Sequence, residues 1–238
     1  MIMKHVQQLL KYTAAFFNRG TDSGTTHSTL KGEEINAAGE GERQAAQSLS
    51  SIREDHRGRY EFALRFIPEQ AVVLDAACGV GYGAFILATR SSCSGIVAID
   101  RSKEAIAFAK KYYTNAAIDY MVKDCISMDY ESEKFDVVVC FETIEHIQED
   151  QQLLKKFYQL LKPQGTLLCS TPNQDKLQFS RTSHPFHHRH YTPGQFETLL
   201  RGAGFSIAEK WSQHNIFAAE VSEGWDGFFN IAVCKKVL

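Results

Sequence analysis

Two periods of apolar residues alternate along this chain. Short apolar runs occupy 71–76, 95–99, 118–122, 135–141 and 166–170, and runs of this length predict strands. Between them the apolar positions recur at i, i+3 and i+4. In 149–161, for example, Leu153, Leu154, Phe157, Leu160 and Leu161 share one helical face. The pattern predicts helices over 43–66, 82–89, 103–113 and 149–161, with a turn at 162–165 ahead of the strand 166–170. A further helix is expected from Pro193, because Thr192-Pro193-Gly194-Gln195 supplies a capping box and a proline at the first position. Two late strands follow at 205–211 and 228–234. Apolar strands alternating with helices imply a parallel sheet covered on both faces. The last two strands have no helix between them, so one of them is expected to run antiparallel.

Upstream the pattern changes. Residues 1–19 place Ile2, Val6, Leu9, Leu10, Thr13, Phe16 and Phe17 at helical spacing with no acidic residue among them. This predicts an arm that packs on its own domain, with docking, dimerising and membrane-surface helices as alternatives. Residues 18–41 are rich in Gly, Ser, Thr, Asn and Glu without a period, as a mobile linker would be. The chain is therefore divided into an arm and linker, 1–42, and one domain, 43–238.

Composition narrows the class. With 238 residues, 44% hydrophobic and 23% charged, the chain is an ordinary globular length and mix. A net charge of −2 gives no global attraction to nucleic acid or anionic lipid, so a polynucleotide partner is disfavoured. The six cysteines form no C-x-x-C pair, which argues against a zinc ribbon or redox motif. Several lie inside apolar runs, where Cys acts as a small hydrophobe. No transmembrane run or signal peptide is recognisable, and a reducing cytoplasm is the expected compartment.

The candidate chemistry starts where the strand 71–76 ends. Gly79-Val80-Gly81 follows it and opens a helix, at the strand end where parallel sheets bind ligands. Gly79, Gly81 and Ala84 also satisfy G-x-G-x-x-A, so a nicotinamide-dependent oxidoreductase is an alternative. Asp75, just ahead of the glycines, separates the two: it would repel a pyrophosphate and favour a cationic sulfonium cofactor. Asp100, at the end of the second strand, suits a ribose diol under either reading.

Here the sequence resembles the class I S-adenosylmethionine-dependent methyltransferases. Leu74-Asp75-Ala76-Ala77-Cys78-Gly79-Val80-Gly81 is similar to their first motif, and Phe135-Asp136-Val137-Val138 to their fourth strand. The resemblance implies a Rossmann-like, doubly wound α/β fold. Its mostly parallel seven-stranded sheet would have an antiparallel C-terminal strand, with N-terminal helices added. It also implies S-adenosylmethionine as cofactor, with Asp100 and the adjoining Arg101 at the ribose and Asp124-Cys125 beside the adenine. Tyr60, Asp75, Ala77, Gly79, Gly81, Phe141 and Glu142 complete the expected cofactor set. His56 and Arg59 are candidates to close over the cofactor's carboxylate, with a solvated Arg59 the equal alternative.

A second constellation follows the fourth strand. If 142–146 is helical, Glu142, Glu145 and His146 share one side, and the loop 185–192 can add His187. Two carboxylates with imidazoles suit Mg²⁺ or Mn²⁺. The bland alternatives are a cofactor-holding Glu142, a helix-capping Glu145 and a hydrogen-bonded His146. This pattern resembles the Hen small-RNA 2′-O-methyltransferases and the ubiquinone-biosynthesis O-methyltransferases. In the Hen family the matching residues bind a divalent metal, which implies Glu142, Glu145, His146 and His187 as its ligands; His188 and His190 are not among them. Gly41-Glu42-Arg43, His56-x-x-Arg59-Tyr60, Phe141-Glu142-Thr143-Ile144-Glu145-His146 and Pro185-Phe186-His187 are also similar to bacterial methyltransferases encoded in surface-polysaccharide clusters.

The expected activity is O-methylation of a small molecule or glycan, with His146 or His187 as general base or a metal lowering the hydroxyl pKa. An RNA 2′-O-methyltransferase and an inactive cofactor-binding regulator are the alternatives. A homodimer is a candidate assembly.

Overall fold

A computed structural model of the chain describes residues 44–237. The expected arm helix and linker lie outside the described residues. Five helices alternate with the strands: α1 (Glu54–Ala63), α2 (Tyr82–Arg90), α3 (Lys103–Tyr112), α4 (Asp150–Leu160) and α5 (Pro193–Gly202). The strands are β1 (Val72–Ala76), β2 (Gly95–Asp100), β3 (Ile118–Val122), β4 (Phe135–Cys140), β5 (Leu161–Pro172), β6 (Phe205–Gln213), β7 (Ser222–Glu223) and β8 (Phe229–Lys236). They form one sheet in the order β3-β2-β1-β4-β5-β8-β6-β7.

Pairing is parallel from β3 through β5, and β8 runs antiparallel to both β5 and β6. The sheet has eight strands among the described residues, where seven were expected. The extra one is the two-residue β7, paired with Trp211 and Ser212 at the edge. It is too short for any alternation to reveal it. α1, α2 and α3 cover one face, where Val73, Val137, Val139 and Val233 meet Phe62, Ile86 and Ile106. α4 and α5 cover the other, where Leu74, Val138, Leu167 and Ala232 meet Leu153, Phe157 and Leu200. Successive strand residues thus point to opposite faces, and both faces are dry, which is why these strands read as unbroken apolar runs. All six cysteines are free thiols. Cys140, Cys169 and Cys234 sit in the α4/α5 face on the neighbouring strands β4, β5 and β8.

Two expected elements differ. The helix over 43–66 is interrupted: a 3₁₀ turn at Leu49–Ser51, an extended step at Ile52 and Arg53, then α1. The hydroxyl of Ser48 bonds those of Ser50 and Ser51 at 3.0 and 3.2 Å, offering local bonds that compete with a continuous helix. The strand expected at 166–170 extends over Leu161–Pro172. The turn expected at 162–165 becomes a bulge, because register jumps from Phe135↔Leu161 to Val137↔Thr166.

β1 lies between β2 and β4, and the crossovers leave it in opposite directions. That makes the carboxyl end of β1 the switch point of the sheet, the place where such folds open a crevice.

Candidate active site

The chain leaves β1 through a turn that takes three residues into left-handed backbone: Ala77 (φ 59°), Gly79 (φ 56°) and Gly81 (φ 88°). The two glycines serve different ends. A Cβ on Gly79 would meet nothing within 4 Å, so its bare backbone faces open space. A Cβ on Gly81 would lie 2.6 Å from the Ala109 methyl and 2.8 Å from the Tyr120 ring. Tyr120 also donates its hydroxyl to the Gly81 carbonyl at 3.0 Å. Gly81 therefore lets α2 close onto α3 and β3, and Gly79 forms the floor of an open cradle.

Asp75 is fully buried beneath this turn. Its Oδ1 accepts a hydrogen bond from Tyr60 at 3.1 Å, while Oδ2 has no partner among the described residues. Burial pushes its pKa up to about 7 even though the Tyr60 bond opposes the rise. An orphaned carboxylate oxygen under a glycine cradle fits a cationic ligand above it.

The cradle opens into a cavity of about 320 Å³. Nine of the expected cofactor residues line it: Tyr60, Ala77, Gly79, Asp100, Arg101, Asp124, Cys125, Phe141 and Glu142. Asp75 and Gly81 stand behind the wall. Asp100 accepts the Gly79 amide at 3.0 Å and the Ser102 amide at 2.8 Å, which locks the glycine turn to the end of β2. Asp124 accepts the amides of Ile126 and Ser127 at 2.8 and 3.2 Å, so it shapes its own turn as well as the cavity.

Of the two positions open to Arg59, the structure takes the buried one, at 2% exposure on the cavity wall. Its Nη1 donates to Gln213 Oε1 at 2.5 Å, Nη2 lies 3.7 Å from Asp55, and the guanidinium stands 5.0 Å from the Phe229 ring centre. Gln44, Tyr82, Thr143, Ile147, Phe186 and His188 also line the cavity, and the sequence reading assigned none of them to the site. Thr143 and Phe186 lie in the motifs similar to the polysaccharide-cluster methyltransferases, Tyr82 directly follows the glycine turn, and Phe186 and His188 lie in the loop 185–192 that brings His187.

The acid–histidine constellation forms, by a route other than the expected helix. Only Ile144–His146 makes a 3₁₀ turn, and Glu142 adopts left-handed backbone (φ 47°). Glu142 turns to β5, where Ser170 donates its hydroxyl to Oε1 at 2.6 Å. Glu145, His146 and His187 come together instead, with one donor atom of each within 4.8 Å of the others. Glu142, expected as a fourth member, lies outside that cluster.

Electrostatics separate the members. Glu145 is buried and holds the Thr171 hydroxyl at 3.2 Å. Burial, then the charge of Glu142, raises its carboxyl well above the usual range. Burial, then the neighbouring imidazoles, lowers His187 to about 2, so this ring is neutral. His146 contacts His187 edge to face at 4.4 Å, and its Nδ1 lies 3.1 Å from the Phe186 carbonyl. A carbonyl only accepts, so Nδ1 carries a proton, and in the neutral ring Nε2 then holds the lone pair.

The loop between β5 and α5 is fastened over this cluster. The His188 amide donates to the Glu145 carbonyl at 2.7 Å. Asp150, at the start of α4, accepts Arg189 at 2.8 Å and the Tyr191 hydroxyl at 2.7 Å. The expected capping box then closes the loop, with Thr192 and Gln195 bonded both ways at 3.2 and 2.9 Å. Asp150→Ala should cost about 2 kcal/mol in a urea titration, because it removes the partner of Arg189 and leaves the buried Tyr191 hydroxyl only its longer bond to the Ile144 carbonyl, at 3.4 Å. Hydrogen exchange should rise first in residues 174–191; unchanged protection there would show that the loop is held by other contacts.

Residues 74–169 match the family model described as a methyltransferase domain. That stretch, from β1 into β5, is therefore similar to a methyltransferase domain. The chain is 30% identical over 139 residues to a probable S-adenosylmethionine-dependent methyltransferase of Mycolicibacterium smegmatis, covering 58% of this chain and 52% of that protein. It is 32% identical over 145 residues to phosphoethanolamine N-methyltransferase 1 of Zea mays, covering 58% of this chain and 29% of that one. The chain thus spans about half, or less, of these curated relatives. The fold superposes on a chain from the complex of the Haloferax volcanii Trm112 methyltransferase activator and its putative methyltransferase, with a TM-score of 0.67. That match has 17% identity and covers 77% of this chain and 91% of the other. At such identity the likeness shows the Rossmann-like methyltransferase fold alone. Among the described residues no helix is long and apolar enough to cross a membrane.

Proposed function

We propose that the domain binds S-adenosylmethionine in the glycine cradle and methylates a hydroxyl of a small molecule or glycan. The observation that carries this is the shared cavity wall. Open Gly79 and the acids Asp100 and Asp124 line one part, and His146, the accessible member of an acid–imidazole cluster, lines another. When bound, the cofactor supplies an electrophilic methyl on a sulfonium. Asp100 would accept from the ribose hydroxyls, Asp124 would face the adenine, and Arg59 would meet the amino-acid carboxylate. The unpartnered oxygen of Asp75 would favour the cofactor's positive charge.

Most of the rate gain in such a displacement comes from positioning the acceptor in line with the methyl. A hydroxyl acceptor also has to lose its proton. Of the two expected bases, His146 suits the task, with its lone pair on Nε2 and its place on the wall. His187, lowered to about 2, is a poor base at neutral pH and a better lone-pair donor. A divalent cation at Glu145, His146 and His187 is the second way to handle the proton. One carboxylate with two imidazoles suits Mn²⁺ better than Mg²⁺, which prefers an all-oxygen shell. Exhaustive chelation separates the two: loss of turnover restored by Mn²⁺ assigns the step to a metal, and full turnover afterwards assigns it to His146.

Calorimetric titration with S-adenosylmethionine tests the site itself. Gly79→Ala should weaken binding tenfold or more while the protein stays folded, since the added Cβ projects into the open cradle with nothing within 4 Å and the left-handed penalty is only about 1–2 kcal/mol. Equal affinity in both proteins would sink the assignment. The likeness to phosphoethanolamine N-methyltransferases favours an amine acceptor as the second reading. An amine acceptor can give up its ammonium proton to solvent before it attacks, so His146→Ala should then leave turnover nearly intact at alkaline pH, whereas O-methylation should fall about 10²-fold or more.

A further inference from the structure

The loop between β5 and α5 carries His184, His187, His188 and His190. His190 neither lines the cavity nor belongs to the Glu145–His146–His187 cluster, yet it is 5% exposed and both ring nitrogens are engaged. Its Nδ1 lies 2.6 Å from the Leu177 carbonyl. Because a carbonyl only accepts, that nitrogen carries the ring proton. A neutral imidazole holds one such proton, so Nε2 of His190 is an acceptor. The partner at Nε2 is His187 Nδ1, at 2.7 Å, which must therefore donate. His187 is left with its lone pair on Nε2.

We infer that His190 is a positioning residue that holds His187 in the Nδ1–H tautomer, so that His187 offers a lone pair to Glu145 and His146. The inference rests on the proposed function only in taking that cluster as the working end of the site. The polarity matters under either version of the chemistry. A cation needs a lone pair from His187, and a proton moving at His146 needs a neighbour that accepts. The opposite tautomer would present an N–H there and repel both. A histidine oriented from behind by a second acceptor is a common way to set which ring nitrogen acts. His190 is itself fixed: Leu177 takes its far proton, and the rings of Phe179 and His184 pack on it with centres 5.6 and 4.5 Å away.

The test is a long-range proton–nitrogen correlation spectrum of the whole protein with ¹⁵N-labelled histidine at neutral pH. His187 and His190 should both show protonated Nδ1 and unprotonated Nε2. An Nε2–H tautomer at His187 in the wild-type protein overturns the inference outright. His190→Phe fills the same space without an acceptor and should lose the His187 Nδ1–H form. His190→Gln should restore it, since its amide can donate to Leu177 and accept from His187. Retention of the Nδ1–H form in His190→Phe would show that something other than His190 sets the tautomer. Cofactor affinity should be unchanged in both variants. Absence of methyl transfer to every hydroxyl tried would count against the proposed function and leave this spectrum unaltered.

Discussion

Gly81→Ala should destabilise the domain by about 3 kcal/mol or more, whereas Gly79→Ala, two residues away, should cost only about 1 kcal/mol. Both residues have positive φ, so both substitutions meet the left-handed penalty of roughly 1–2 kcal/mol. Only Gly81 adds a collision. Its Cβ would sit 2.6 Å from the Ala109 methyl and 2.8 Å from the Tyr120 ring, well inside ordinary carbon contact. Neither neighbour can retreat freely. Ala109 is in α3 with no exposure, and Tyr120 is fastened by its hydroxyl to the carbonyls of Gly81 and Tyr113, both at 3.0 Å. Overpacking of this kind costs about 1–3 kcal/mol more. Urea titrations of the two variants decide it. Equal midpoints would mean that the α2–α3 contact is looser than the structure describes.

The second large effect is in pH. Relative to an Asp75→Asn variant, ligand-free protein should lose stability as pH rises from about 4 through 7, the reverse of the usual behaviour of a paired carboxylate. Asp75 is responsible: its folded pKa of about 7 lies above the ordinary 3.8. Over that interval the folded state keeps a proton that the unfolded chain releases, so stability falls with each step up in pH. The stabilising contribution is complete below pH 3.8 and gone above pH 7. A gap of about three pH units corresponds to about 4 kcal/mol as an upper bound. Glu142 and Glu145 are raised by burial as well and add slopes of the same sign, while His187 and His190, lowered by burial, add slopes of the opposite sign. The Asp75 share is therefore read as a difference between proteins. Asp75→Asn keeps an acceptor for Tyr60 and should lack the Asp75 fall, so the wild-type profile drops relative to it across the same interval. Parallel profiles for the two proteins would remove Asp75 as the cause.

The fold was legible because its signals are local. The Val-rich runs of β1 and β4 and the 3.6-residue period of α4 depend on neighbours within a few positions. The glycine turn announced its place at the end of β1. That the two glycines divide the work was not visible, since Gly81 is defined by Ala109 and Tyr120 from later elements. The acid–histidine spacing is compatible with a helical face, but only Ile144–His146 makes a turn there. Glu142 turns back through left-handed backbone to Ser170, and the cluster closes through His187, which arrives from the loop after β5. Arg59 shows the same limit. Its partner Gln213 lies 154 positions away, so nothing near α1 marks the guanidinium as buried.

The cysteines of the sheet have one more consequence. Cys140, Cys169 and Cys234 stand on three adjacent strands with no exposure, Cys78 and Cys125 lie at the ligand crevice, and Cys93 is partly open to solvent. An alkylating reagent therefore finds thiols at three depths in one molecule. Cys93 is within reach of the native state, the crevice pair needs a local opening, and the sheet trio needs the central strands to part. The rate at which each thiol is modified reports a different extent of unfolding, without any label having to be introduced.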